Sequence, residues 1–381
     1  MFHTAPVAVQ TQPQARARFG AHSGAITRPF NVLILTDSFK LAYRVMRCFH
    51  AAGANVHVLG STRSRGLRYS RFCKSFRYRA NDYRDNLQPL IGEVNAVVIE
   101  HDIALIACGE HFMMRPLIVM APALSAPCFP MLSIEQFDIL NDKWRFTQLC
   151  NELGVRCPGS QLVADVAALR ELLQAGKLTQ PFIVKPVAFD GATGFFAFDR
   201  NKDLSQLSAI DYSPILVQEF IEGEDVCVSV YCNKGQILAF VAYRYSRATY
   251  ITFEAPAIRA DCAKILANTK ANGVLNFEMR IAPDGAVYWL ECNPRFFMSI
   301  AMSMLAGFPF VEYGLPIRRV SGVTASTSGA QVRFIKAAAL EAVRFGRLTL
   351  RDFAYLRYVI ADPIPWAREG LGFENRPPLR G

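Results

Sequence analysis

Two glutamates thirteen positions apart, Glu278 and Glu291, flank Pro283-Asp284-Gly285, and Asn293 and Arg295 follow in alternation inside YWLECNPRF (288–296). If that tripeptide turns a hairpin, residues whose numbers sum to about 569 face one another, which sets Glu278 against Glu291. Side chains alternate along a strand, so Glu291 and Asn293 share a face, as do Asn276, Glu278 and Arg280. Two carboxylates opposed across a ladder repel, and burial raises the cost. A hard cation between them removes that cost: magnesium (or manganese) takes carboxylate and amide oxygens and keeps positions open for phosphates. The plain alternative is a pair of solvent-facing glutamates on an amphipathic hairpin.

Two upstream segments have the chemistry of a nucleotide site. Lys185 closes the apolar run PFIVKP and is followed by VAFDGATGFF, in which Gly191 and Gly194 let a loop fold closely over an anion. In LVQEFIEGED (216–225) an edge-like apolar strand runs into a cluster of acids. Backbone groups at Glu219 and Ile221 suit an adenine edge, and Asp225 or Glu224 suits ribose hydroxyls; an ordinary strand-to-turn transition is the competing reading. A P-loop is absent, and the turn Thr36-Asp37-Ser38 lacks the glycines of a dinucleotide fingerprint.

The elements that must position these groups form an α/β pattern. NVLIL (31–35), a helical stretch from Leu41, Gly53 and NVHVLG make a βαβ start, which predicts a parallel sheet. NAVVIE (95–100) reads as a further strand, and Ile134 to Leu153 as one helix ending at Gly154. A strand-rich half follows, with Asn233-Lys234-Gly235 as a tight hairpin turn, and the chain reads as helical again after Ser321.

At 381 residues, with 51% hydrophobic and 19% charged positions, the composition is that of a soluble globular protein with two or three packed units. Ten scattered cysteines with no Cys-x-x-Cys pair predict free thiols and a cytoplasmic setting rather than zinc. Residues 1–29 read as a polar flexible tail without a leader pattern, and the most apolar run, 112–132, carries Arg115 and several prolines that disfavour a membrane span. Net charge is +10, concentrated in STRSRGLRYSRFCKSFRYRA (61–80). Basic residues interleaved with aromatics suit nucleic acid, but a solvated loop or sheet edge is the expectation, so no nucleic-acid partner is assigned.

Taken together, NDKWRFTQLCNELGVRCP (141–158), FIVKPVAFDGATG (182–194), LVQEFIEGEDVCVSV (216–230) and NFEMRIAPDGAVYWLECNPRF (276–296) resemble, in that order, the ATP-grasp superfamily of carboxylate–amine ligases. The resemblance implies a Rossmann-like domain over 30–128, a two-lobed ATP-grasp fold over 129–320, and a helical segment and tail over 321–381. It implies ATP and magnesium as cofactors, with Lys143 and Lys185 on phosphates, Gln218, Glu219 and Ile221 around adenine, and Asp225 on ribose. Glu278, Glu291 and Asn293 would hold the metal, and Arg295 with Arg280 would stabilise the transferring phosphoryl group. The implied reaction turns a small-molecule carboxylate into an acyl phosphate that an amine then captures. A homodimer is compatible with this. Carboxylation, thioester formation and a non-catalytic nucleotide- or RNA-binding regulator are the rival readings.

Overall fold

The structure, a computed structural model, describes residues 30–80, 86–178, 181–188, 194–198, 204–246, 248–316, 329–334 and 352–370. The expected tail over 1–29 and Gly191 lie outside the described residues. The described residues form an α/β fold with three sheets.

The first is parallel, in the order β3-β2-β1-β4, from β1 (Phe30–Thr36), β2 (Ala54–Gly60), β3 (Cys73–Tyr78) and β4 (Ile103–Cys108). β1 is central and apolar on both faces, as a strand covered from two sides must be. Leu33 and Leu35 enter one core, and Val32 and Ile34 the other. Helix α1 (Lys40–Ala51) buries Leu41, Ala42, Val45, Met46 and Phe49 along one stripe and gives way to Gly53 at φ +89°. The basic stretch 61–80 supplies a 3-10 helix (Thr62–Tyr69) and the edge strand β3, so its charges line a sheet edge.

NAVVIE is helical, contrary to the sequence reading. It ends α2 (Gln88–Glu100), in which Leu90, Val94, Val97 and Val98 are buried at helical spacing. That period outweighs the β-branched composition, and the strand of this region is β4, just downstream. Helix α3 (His111–Met120) follows. The helix expected over Ile134 to Leu153 is two: α4 (Ile134–Asn141) and α5 (Lys143–Glu152). Asp142 breaks it by leaving the helical conformation and accepting a hydrogen bond from Arg145 N at 2.9 Å as the cap of α5.

The second sheet is small and antiparallel, in the order β5-β8-β6-β7, from β5 (Ser160–Val163), β6 (Phe182–Pro186), β7 (Phe196–Phe198) and β8 (Ile215–Glu219). It packs on α6 (Val166–Gln174) through its own core of Val163, Leu169, Phe182, Val184, Phe198, Leu207 and Val217. β8 is not an edge. It pairs with β5 on one side and β6 on the other, which accounts for four of its five residues being buried.

The third sheet has six antiparallel strands, in the order β13-β12-β9-β10-β11-β14. These are β9 (Glu224–Asn233), β10 (Gln236–Ser246), β11 (Thr249–Phe253), β12 (Gly273–Ile281), β13 (Val287–Asn293) and β14 (Gln331–Arg333). The turn between β9 and β10 places Lys234 and Gly235 both at positive φ, the tight hairpin the sequence predicts. One face packs with α2 to α5 and α7 (Pro256–Thr269), and the other with α1 and the helices Ile300–Leu305 and Phe310–Tyr313. Both of these cores also contain β1 residues, so the parallel sheet and the large sheet are buried against common side chains. β14 carries the large sheet past residue 320, and helices Asp352–Ile360 and Pro363–Gly370 follow.

Candidate functional site

Four segments converge on one cleft of about 460 Å³. α5 contributes Lys143, β6 contributes Ile183 and Lys185, the end of β8 contributes Gln218 to Ile221, and the β12–β13 hairpin contributes Glu278, Arg280, Leu290 and Glu291; Asp225 is at the rim. The backbone fixes this convergence. Lys143 N donates to Val187 O at 2.8 Å, tying the start of α5 to the end of β6 and bringing both lysines to the same wall.

Glu278 pairs directly with Glu291, and Asn276 with Asn293. A bulge then intervenes, because the next pair is Met279 with Trp289 and Leu290 is left over. The bulge has a chemical cause: Trp289 N donates not across the hairpin but to Arg156 O at 2.9 Å. Trp289 is fully buried in the core, while Leu290 and Glu291, adjacent in sequence, both line the cleft.

Burial, and then the charge of Glu291, push the Glu278 carboxyl up to about 7. Lys143 Nζ lies 3.4 Å from Glu291, and Asn293 Nδ2 donates to Glu278 at 3.1 Å and to Glu291 at 3.4 Å. Arg295 donates to Asn293 Oδ1 at 2.8 Å, which extends the cluster by one residue although Arg295 lines a separate small cavity with Pro294 and Phe296. Burial also lowers the Lys185 ammonium to about 8, against the pull of Glu291. No cluster of three or more His, Cys, Asp or Glu occurs among the described residues. The two carboxylates offer oxygen ligands to a hard cation, and a cation there relieves the repulsion that raises Glu278, whereas Asn293 turns its Nδ2 to the pair and its Oδ1 to Arg295 and would have to reverse its amide to ligate.

At the far end of the cleft, Arg280 pairs with Asp225 at 2.6 Å and donates to Ile221 O at 2.9 Å. These contacts brace the turn after β8. The Glu219 carboxylate accepts from Gly159 N at 3.2 Å. Gly194, at φ +73°, is packed against Tyr212 and Pro186, where a Cβ would come within 2.9 Å of the Tyr212 ring, so it shapes the base of the loop and not the cleft wall. Ile183, Phe195, Ala197, Phe220 and Leu290 form an apolar wall that the sequence reading did not single out. Only Ile183 carried a usable signal, being two positions from Lys185 on a strand.

The chain matches the "ATP-grasp domain" family over residues 140–253 and the family "ATP-grasp in the biosynthetic pathway with Ter operon" over residues 211–339. It is 24% identical over 214 residues to the arginine-specific large chain of carbamoyl phosphate synthase from Bacillus subtilis. That match covers 50% of this chain and 20% of the relative, so the chain spans about one-fifth of the length of the curated relatives it matches. Among solved structures, N5-carboxyaminoimidazole synthetase from Staphylococcus aureus complexed with ADP aligns with a TM-score of 0.59 at 16% identity, covering 79% of this chain and 80% of that one. L-amino acid ligase from Bacillus licheniformis aligns at 0.56 and 16% identity, covering 75% and 73%. The two family matches together place an ATP-grasp domain over residues 140–339, and the solved structures share the fold of the chain.

Proposed function

We propose that the protein is an ATP- and magnesium-dependent ligase that activates a small-molecule carboxylate as an acyl phosphate and joins it to an amine, in the cytoplasm. The observation that carries this reading is the in-register pair Glu278 and Glu291, closed in one cleft by Lys143 and Lys185. Magnesium at Glu278 and Glu291, and at Asn293 with its amide reversed, would supply charge neutralisation for phosphate oxygens. Lys143 and Lys185 bind and orient the phosphates, and the apolar wall of Ile183, Phe195, Ala197 and Leu290 excludes water from them. Arg295, which donates to Asn293 Oδ1 beside the carboxylate pair, would stabilise the transferring phosphoryl group. Arg280 keeps Asp225 and the Ile221 turn in place for the ribose and base.

In this reaction a carboxylate oxygen bonds to the γ-phosphorus as the bond to ADP breaks. The amine nitrogen then bonds to the acyl carbon, releases phosphate and loses a proton. Such phosphoryl transfer needs positioning and cations rather than a side-chain nucleophile.

The test is incubation with ATP, magnesium and carboxylates labelled with oxygen-18, with and without pooled amines. Label passing from carboxylate to phosphate, with ADP release dependent on both acceptors, supports the reading. Turnover that needs bicarbonate and no organic carboxylate assigns the chain to carboxylation instead. Nucleotide binding without turnover favours a regulator.

A further inference from the structure

Several thiols are committed to backbone carbonyls: Cys73 Sγ donates to Ser75 O at 3.2 Å, Cys108 Sγ to Glu110 O at 2.8 Å and Cys232 Sγ to Gly273 O at 3.6 Å. Cys150 and Cys157 hydrogen-bond instead to each other. The end of α5 brings them together. Cys150 O accepts from Leu153 N at 3.1 Å and from Val155 N at 2.8 Å, and Gly154 takes φ +66° between them. The chain therefore doubles back and returns Cys157 to the helix it has just left. Cys150 is 0% exposed within the core, whereas Cys157 is half-buried and packs against that same core. An oxidant reaches Cys157 first and finds a second sulfur already in contact behind it.

The corner that holds this pair also shapes the cleft. Arg156, the residue before Cys157, supplies the carbonyl that takes Trp289 N out of the hairpin ladder at 2.9 Å, and the bulge that results sends Glu291 into the cleft. Covalent bonding draws two sulfurs closer than hydrogen-bond contact. Cys150 is fixed in a packed helix, so the movement falls on Cys157 and carries Arg156 O with it. We infer that Cys150 and Cys157 are a redox modification site that closes as a reversible disulfide, and that closure weakens the metal and nucleotide site by disturbing the Arg156–Trp289 contact. The second half rests on the ligase reading above; the first does not.

With hydrogen peroxide as oxidant, the Cys157 sulfur bonds to one peroxide oxygen, the O–O bond breaks and a water leaves. The Cys150 sulfur then displaces the hydroxyl of the Cys157 sulfenic acid, and its own proton departs with that hydroxyl as a second water. The sulfurs lose the electron pair that the peroxide gains, and a dithiol such as dithiothreitol reverses the bond.

The experiment treats the full chain with hydrogen peroxide, blocks the remaining thiols and maps the peptides by mass spectrometry, with and without later dithiothreitol. Magnesium-dependent ADP affinity is titrated in each state, and Cys157→Ser is carried in parallel. The expected result is a crosslinked peptide joining Cys150 to Cys157, with ADP binding weakened roughly tenfold, the ratio set by one disturbed buried hydrogen bond. Dithiothreitol should reverse both, and Cys157→Ser should bind ADP like the reduced wild type before and after peroxide. Recovery of Cys157 as a sulfinic acid with Cys150 unjoined overturns the inference. So does a disulfide that leaves ADP affinity unchanged, or a peroxide-induced loss that is equal in Cys157→Ser. If the reduced wild type binds no ADP, the ligase reading fails, while the peptide map still decides the disulfide.

Discussion

Replacing Glu291 by glutamine should separate the stability of the fold from its capacity to bind metal. In the metal-free protein Glu291 is the second cause, after burial, of the rise in Glu278 from 4.5 to about 7. A rise of that size corresponds to about 3 kcal/mol of disfavoured ionisation, most of it desolvation that the substitution leaves in place. Removing the neighbouring charge returns a minor part, on the order of 1 kcal/mol, because burial is the larger cause of the rise and stays in place. Against this stands the Lys143 contact at 3.4 Å, which also loses its ionic partner. The apo variant is therefore expected to unfold within about 1 kcal/mol of the wild type. Metal binding responds differently. One of two anionic ligands is gone, and a loss of roughly 3 kcal/mol, about 100-fold, is expected in magnesium-dependent ADP affinity. Calorimetric titration of ADP with and without magnesium, paired with thermal unfolding of the apo forms, reads both quantities. A variant that keeps the wild-type magnesium dependence, or that loses it only because the apo protein has unfolded, would refute the assignment.

The remaining predictions concern pH, a turn and a clamp. Folded Glu278 binds its proton more tightly than the unfolded chain does, so apo stability should fall as pH rises from 4.5 to about 7, and Glu278→Gln should flatten that slope in thermal melts. Lys185 has the opposite sign: depressed to about 8 in the fold, it should make stability rise between about pH 8 and 10.5, a slope that Lys185→Met should remove. Gly223 sits at φ +148°, where a Cβ would come within 2.1 Å of Ile281 O, so Gly223→Ala should cost at least about 3 kcal/mol in urea unfolding. Arg47 is buried, stacks 3.8 Å above the Tyr358 ring and donates to Tyr358 O at 2.7 Å. Arg47→Ala should cost about 3 kcal/mol by the same measurement while leaving magnesium-dependent ADP affinity unchanged.

The hairpin register was legible because it depends on local quantities, a turn tripeptide and the period of two that follows from it. That alone sets Glu278 against Glu291. The bulge at Leu290 was not legible, because it depends on a carbonyl at Arg156 that the sequence does not place next to Trp289. NAVVIE misled through composition: its β-branched residues favour a strand, and only the wider window reaching back to Leu90 reveals the helical stripe. β8 reads as edge-like in the sequence, whereas its place between β5 and β6 is a property of topology. The carboxylates and Lys185 were thus readable from local pattern, whereas the apolar wall and the bracing of Arg280 required the assembled fold.

Among the described residues, the core beneath the small sheet is built from that sheet, α6 and the segment between β7 and β8, whereas each of the two other cores takes residues from both the parallel and the large sheet. Lys185 and Gln218 therefore ride on a body whose cohesion is its own, and Lys143, Glu278 and Glu291 belong to another. A molecule seated in the cleft would touch both bodies at once and add to the two hydrogen bonds, Lys143 N to Val187 O and Arg280 to Ile221 O, that already span them.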